Sequence, residues 1–314
     1  MFEYRINDLI EEIKETLTLT PLTLASAQEN RILTPELIQP GLALAGYFEH
    51  FYTERIQVLS KMEVSYLNSI STHKLKNVLR FFQDFNIPCL ILAGGTVTEK
   101  RIIRIFSKFK ISLLESNTNL DHTVMTLSMF LHERFAKSIS LHGVLMDVFG
   151  VGILITGMSG IGKSECALDL IERRHRLIAD DLVIAKQLRG TLVGGSIDSP
   201  LKFHLEVRGV GIINVKKLFG ICSVLSKKRI ETIVELVEPE DALKEDRSGL
   251  TQLFKKVLDI NIPLIRLPTS SVSNIAKTIE VIAMRYLGYT IEKGKLENYN
   301  EKLIELFEQK DKQS

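Results

Sequence analysis

The chain is poor in cysteine, carries almost no net charge and has no long hydrophobic run. Its three cysteines, Cys89, Cys166 and Cys222, are widely spaced and odd in number. That pattern excludes a disulfide framework and a cysteine-based metal site, so buried thiols among apolar neighbours are expected. No apolar stretch approaches the roughly 18 residues that a membrane-crossing helix needs. The longest, Val144 to Thr156, is broken by Asp147 and two glycines. The first residues, MFEYRINDLIEEIKE, are acidic and amphipathic and lack the basic start and apolar centre of a signal peptide. A cytoplasmic protein with no membrane partner is the expectation. A net charge of only +2 gives no global argument for binding nucleic acid. Internal repeats and low-complexity segments are also missing.

What is present is ordinary globular material: 314 residues, 45% hydrophobic and 25% charged. At roughly 100–200 residues per domain this length predicts about two domains, each large enough for its own core. In the first, Ile6 to Thr16 has helical spacing. Ile87 to Ala93 reads as a buried strand ending at Gly94-Gly95, Lys100 to Lys108 as a helix and Ile111 to Leu114 as the next strand. A strand–helix–strand unit of this kind packs as a parallel α/β layer. Gly94-Gly95 lacks the G-x-G-x-x-G spacing of a dinucleotide turn. A helical pattern from Asn119 to Ser138 connects to a region of different texture. There, Val144 to Phe149 and Gly152 to Thr156 read as paired strands around Gly150. A helix is expected from about Ser273 to Leu287, and a charged tail follows from Lys293.

The second of those paired strands runs into Gly157-Met158-Ser159-Gly160-Ile161-Gly162-Lys163-Ser164, which satisfies G-x-x-x-x-G-K-[ST] at every fixed position. Glycines let the backbone curl so that successive N–H groups face one point, and their size admits phosphates. Lys163 would reach the β- and γ-phosphates of a nucleotide, and Ser164 would offer its hydroxyl to Mg²⁺. The helix expected over Glu165 to Arg173 aims the positive end of its dipole at the same place.

Downstream, the short apolar strand Leu177-Ile178-Ala179 ends in Asp180-Asp181. Carboxylates there would lie beside the phosphate loop if the strands are neighbours, one serving Mg²⁺ and the other accepting a proton from an attacking hydroxyl. Adjacent aspartates would also raise each other's pKa. Leu205 to Asn214 sets Glu206, Arg208, Gly209 and Gly211 in a strand-like run, and glycine repeated in a strand points equally to a close-lying ligand or backbone and to an ordinary bulged strand. His142 precedes the Val144 strand, and a lone histidine is more often structural. Asp246-Arg247-Ser248-Gly249 reads equally as a surface turn, and nothing local fixes a role for Arg247.

The runs HGVLMDVFGVGILITGMSGIGKSE, RRHRLIADD and LEVRGVGIINVKKLFG closely resemble the HPr kinase/phosphorylase family. So do QPGLALAGYFEHFYTERIQVLS in the first domain and DRSGL near residue 248, so the likeness covers most of the chain in order. The resemblance implies an N-terminal α/β domain over 1–133 and a P-loop kinase domain over 134–314 that is akin to phosphoenolpyruvate carboxykinase. It also implies a hexamer that uses ATP or pyrophosphate with Mg²⁺ to phosphorylate a serine of the phosphocarrier protein HPr. His142 and Lys163 would be active-site residues. Asp181 would accept the proton in phosphorylation and return it in the reverse reaction. Ser164 and Glu206 would bind Mg²⁺, and Arg247 would assist at the transferred phosphate.

Two departures from the family pattern bear on this. Met158 stands where the family usually has aspartate, at a loop position the phosphate motif leaves free, so phosphate binding is expected to survive. Pro268-Thr269-Ser270-Ser271-Val272-Ser273-Asn274 stands where the family typically reads Pro-Val-Arg-Pro-Gly-Arg-Asn, a segment tied to dephosphorylation. Losing two fixed cations is expected to weaken anion binding and with it the phosphorylase direction. The alternatives to an HPr kinase are a P-loop kinase for a small molecule and a nucleotide-binding regulatory module without catalysis.

Overall fold

A computed structural model describes residues 4–24, 31–95, 99–197, 202–238, 253–269 and 274–291. Contacts along the chain divide it into two compact units, 1–136 and 137–314.

The first unit runs β1 (Tyr4–Arg5), α1 (Ile6–Ile13), β2 (Leu19–Thr23), β3 (Arg31–Ile32), β4 (Leu37–Ile38), α2 (Gly41–Ala45) and β5 (Ile56–Leu59). It continues through α3 (Lys61–Ser69), α4 (Thr72–Asp84), β6 (Leu90–Leu92), α5 (Lys100–Lys108), β7 (Leu113–Ser116) and α6 (Leu120–Arg134). Strands β4, β5, β6 and β7 pair in parallel, and β2 closes one edge antiparallel in the order β2-β7-β6-β5-β4. Helices cover both faces, as a parallel sheet requires. Leu75, Val78, Leu79 and Phe82 of α4 pack on one face with Ile102 and Phe106 of α5, while Leu9 and Ile13 of α1 pack on the other with Leu127 and Leu131 of α6. The helix starts are legible in sequence. Ser60 caps α3 in a reciprocal box with Glu63, and the Asn119 side chain accepts from the His122 N–H to cap α6.

The second unit runs β8 (Ser138–His142), β9 (Val144–Val148), β10 (Val151–Gly157), α7 (Lys163–Glu172), β11 (Arg176–Ala179), β12 (Leu182–Leu188), β13 (Thr191–Gly195), β14 (His204–Val207) and β15 (Gly211–Asn214). After α8 (Val215–Phe219) come β16 (Lys227–Arg229), β17 (Thr232–Val237), β18 (Leu253–Val257), β19 (Ile260–Pro268) and α9 (Ile275–Ile291), which the Asn274 side chain caps. A six-stranded mixed sheet has the order β11-β9-β10-β17-β19-β18, and within it β10, β17 and β19 are parallel. An antiparallel sheet, β16-β13-β12-β8, lies against one of its faces.

The period-two alternation of strands decides which side chain enters which layer. Val144, Met146 and Val148 of β9 join Cys166, Ala167 and Leu170 of α7 and Ile279 and Ala283 of α9. Leu145 faces the other way, with Val183, Ala185 and Leu192 of the second sheet. Asp147, which interrupts the apolar run, is buried but held by the Arg176 guanidinium and lies 3.6 Å from the Lys228 ammonium. Removing either cation would leave a buried charge short of a partner.

Four expectations need correction. The Asn119 to Ser138 helix stops at Arg134, and Ser138 already starts β8. The strand expected over Ile111 to Leu114 lies two residues later, in β7. Leu205 to Asn214 is a hairpin and not one strand, because Gly209 and Gly211 take left-handed backbone angles between β14 and β15. A side chain at either glycine would meet open space, so turn geometry and not the close approach of another backbone explains them. Cys222 is exposed, whereas Cys89 and Cys166 are buried and their thiols are pushed up by burial, that of Cys166 to about 12. The tail from Lys293 lies outside the described residues.

Candidate functional site

Strand β10 ends at Gly157, and the chain turns through Met158 to Gly162 before α7 begins at Lys163. A Cβ at Gly157 would lie 2.6 Å from the Leu236 carbonyl oxygen, so only glycine lets β10 press this closely on β17 at the loop entrance. Gly160 and Gly162 have φ of 77° and 103°, the curled backbone that turns N–H groups inward. The Lys163 ammonium donates to the carbonyls of Gly157 at 3.0 Å and Met158 at 2.8 Å, which holds it across the mouth of the loop. Met158 contributes through its carbonyl and is 66% exposed, so neither Lys163 bond depends on the side chain at position 158. Ser164 is the second residue of α7.

The acidic pair is not on a strand next to β10, as the sequence reading had allowed, because β9 lies between β11 and β10. The acids instead occupy the corner where the chain leaves β11 in the six-stranded sheet for β12 in the second sheet. A second corner, from β8 to β9, meets it. There the Gly143 N–H donates to the Asp181 carbonyl at 3.0 Å, and His142 pairs with Leu182 across the strands. A Cβ at Gly143 would lie 2.4 Å from the Ile155 carbonyl oxygen, so this corner can press on β10 only with glycine there. The two corners bring His142 Nδ1 to 4.0 Å from Asp181 Oδ1, with both side chains open to solvent at 84% and 91%. Asp181 has φ of 64°, a left-handed conformation that aspartate tolerates better than most residues.

Hairpin β14–β15 closes over the same corner. The Glu206 N–H donates to Asp180 Oδ2 at 3.2 Å, and Asp180, Asp181 and Glu206 line a cavity of about 260 Å³ with Lys202 and His204. Burial raises the Asp180 pKa first, backbone N–H groups of Glu206 and Asp181 oppose that rise, and the charges of Asp181 and Glu206 add to it. The expected mutual repulsion of the two aspartates is thus the smaller cause. These donors are hard oxygens, the kind Mg²⁺ selects, and Mg²⁺ commonly takes only one or two carboxylates beside phosphate oxygens and water. Asp180 and Glu206 are brought together here, whereas no cluster of three or more His, Cys, Asp or Glu side chains placed to hold a metal is formed among the described residues.

A raised carboxyl pKa favours the folded state at low pH, and that advantage disappears as pH rises through the folded-state value. Asp180→Asn keeps the acceptor for the Glu206 N–H and removes the buried charge. In chelator-containing buffer its melting temperature relative to the parent should therefore climb as pH rises above the ordinary aspartate value of about 4. A flat or falling difference in paired thermal melts would contradict burial as the cause.

A larger cavity, about 830 Å³, adjoins the phosphate loop and is lined by Gly157, Met158 and Ile161 together with His142. It also holds a pair the sequence reading missed: Arg266 Nε donates to Glu235 Oε2 at 2.8 Å. The available signal was Glu235 itself, a carboxylate inside the apolar strand Thr232–Val237. Arg247 and residues 270–273 lie outside the described residues.

Models of the HPr serine kinase N terminus and of the HPr serine kinase C-terminal domain match residues 4–131 and 133–303. Among curated relatives, the HPr kinase/phosphorylase of Alkaliphilus metalliredigens is 35% identical over 304 residues, covering 97% of this chain and 98% of that protein. The HPr kinase/phosphorylase of Geobacter sulfurreducens is 37% identical over 300 residues, covering 95% and 94%. Among solved structures, the Hpr(Ser) kinase/phosphatase of Coxiella burnetii is 32% identical, covering 48% of this chain and 98% of that one, with a TM-score of 0.43.

Proposed function

The chain belongs to the HPr serine kinase family, and from that premise we propose that it transfers the γ-phosphoryl group of ATP to a serine of HPr. The second unit is, on this reading, a P-loop kinase domain of the phosphoenolpyruvate carboxykinase kind, working within a cytoplasmic homo-hexamer. The single observation that carries the mechanism is the meeting of two chain corners that sets His142 4.0 Å from Asp181, with His142 lining the same cavity as the phosphate loop.

Loop N–H groups and the amino end of α7 receive the phosphates, and Lys163 turns from the loop carbonyls to the β- and γ-oxygens. Asp181 takes the proton of the attacking serine hydroxyl as its oxygen bonds to phosphorus and the bond to the β-phosphate oxygen breaks, releasing ADP. His142 steadies that carboxylate. Ser164, Glu206 and Asp180 would hold Mg²⁺, which would supply charge neutralisation at the transferred phosphate. Arg247 is assigned to the transferred phosphate from the family likeness.

In the reverse direction inorganic phosphate attacks phosphoserine. Asp181 returns its proton to the serine oxygen, and pyrophosphate leaves. Pyrophosphate is, by the same symmetry, a second phosphoryl donor in the forward direction. Replacement of both arginines in 268–274 is expected to make the reverse direction the slower one. End-to-end likeness to enzymes named HPr kinase/phosphorylase disfavours a small-molecule kinase and a module without catalysis. The test is incubation with HPr, Mg²⁺ and labelled ATP, with the converse assay of phospho-HPr and phosphate for pyrophosphate release. Label on an HPr serine is expected. Nucleotide binding with no phosphoserine would overturn the kinase reading.

A further inference from the structure

We infer that the 830 Å³ cavity beside the phosphate loop receives the nucleoside of the donor, with Glu235 as its specificity-determining residue and Arg266 as the residue that positions Glu235. This rests on the kinase reading above and adds to it where each substrate lies.

Three observations converge. The cavity opens at the carboxyl ends of the parallel strands β10 and β17, where ligands of open α/β sheets bind. Its volume falls within the roughly 300–1,000 Å³ of small-molecule sites. Its wall includes Gly157, Met158 and Ile161, so a ligand whose phosphates sit in the loop can extend into it without a gap.

In-line transfer supplies the reason to assign this cavity to the donor and not to the serine. The attacking oxygen and the leaving oxygen lie roughly in line through the phosphorus. Asp181, the proton acceptor, lines the other, smaller cavity with Glu206, so the serine approaches from there. The leaving ADP therefore extends into the remaining space. Half-buried Leu141, Ile161 and Val237 offer apolar surface to a base. Glu235 is a pure acceptor when ionised, suited to ribose hydroxyls or a base amino group. Arg266 grips one of its oxygens at 2.8 Å and leaves the other to the ligand, a pre-organised arrangement that limits the ordering cost of binding.

Pyrophosphate makes the test internally controlled, since it fills the phosphate loop and carries no nucleoside. Titration calorimetry with Mg²⁺ would compare ADP and pyrophosphate on the full chain and on Glu235→Ala, Glu235→Gln, Arg266→Ala and Arg266→Lys, with folding checked by thermal melts. Glu235→Ala should weaken ADP binding about 10- to 100-fold, the size of a lost hydrogen bond to a charged group. Pyrophosphate affinity should stay within about twofold. Arg266→Ala should weaken ADP less, and Arg266→Lys should restore part of that loss. Should an alanine variant fail to fold, the Gln and Lys variants carry the comparison. An equal loss for both ligands, or no loss for ADP, overturns the nucleoside assignment while leaving the kinase reading intact. Failure of the parent protein to bind pyrophosphate overturns the phosphate-loop reading itself.

Discussion

Lys163→Ala is expected to lower HPr phosphorylation about 10³-fold or more, at the upper end of what one transition-state donor contributes. Phosphoryl transfer asks little covalent chemistry of the protein, so charge neutralisation and positioning supply most of the rate. Lys163 is placed for that work. Its ammonium is held across the loop mouth by the Gly157 and Met158 carbonyls. An ammonium at about 4 Å from a phosphate oxygen is worth about 4 kcal/mol at an effective dielectric constant near 20. Steady-state assays should show kcat falling together with a rise in KM for ATP, because the lysine touches the phosphates before and during transfer. Thermal melting should move little, since the substitution is at a solvent-facing loop mouth. Activity within about tenfold of the parent would remove Lys163 from the transferred phosphate.

Asp181→Asn should produce an equally large defect with a different signature. Loss of a general base costs about 10²–10⁴-fold in rate. Asparagine has the same shape, keeps an acceptor oxygen and tolerates the left-handed backbone at φ of 64°. The corner that carries it, braced by the Gly143 N–H on the residue 181 carbonyl, should persist. The expected result is therefore lost transfer with unchanged nucleotide affinity, in both the kinase and the phosphorolysis assay, because one group serves as acceptor and then donor of the same proton. Retained transfer, or a matching loss of nucleotide binding, would contradict its role as the base. Together the two variants separate charge neutralisation from proton transfer: one raises KM for ATP and the other does not.

Much of this was legible in local sequence because the features concerned are local. The phosphate loop is a run of eight residues whose glycines and lysine act within one turn of chain. The β9–β10 hairpin follows from two apolar runs that meet at Gly150 and are buried along almost their whole length, and α5 follows from its apolar spacing to the residue. Helix ends were less certain. Asn119 signals where α6 starts, whereas no comparable residue marked its stop at Arg134. The misread Leu205 to Asn214 segment has one cause. Two glycines in an apolar run fit a crowded strand or a tight turn equally well, and only the pairing of Glu206 with Ile212 decides between them.

The sequence by itself determined that a strand, a glycine-rich turn and a helix would form a phosphate site, and that acids would stand at the end of a strand downstream. Tertiary structure decided how those acids reach the site. They come through a sheet-to-sheet corner, and not from a strand beside β10, because β9 occupies that neighbouring position. It also decided that His142 would meet Asp181, and that Glu235 and Arg266 would face each other on parallel strands beside the loop. The physical reason is range. Backbone turns and caps are set by neighbours a few residues apart, whereas a pair such as Glu235 and Arg266 depends on strand order and register, which only the packed core specifies.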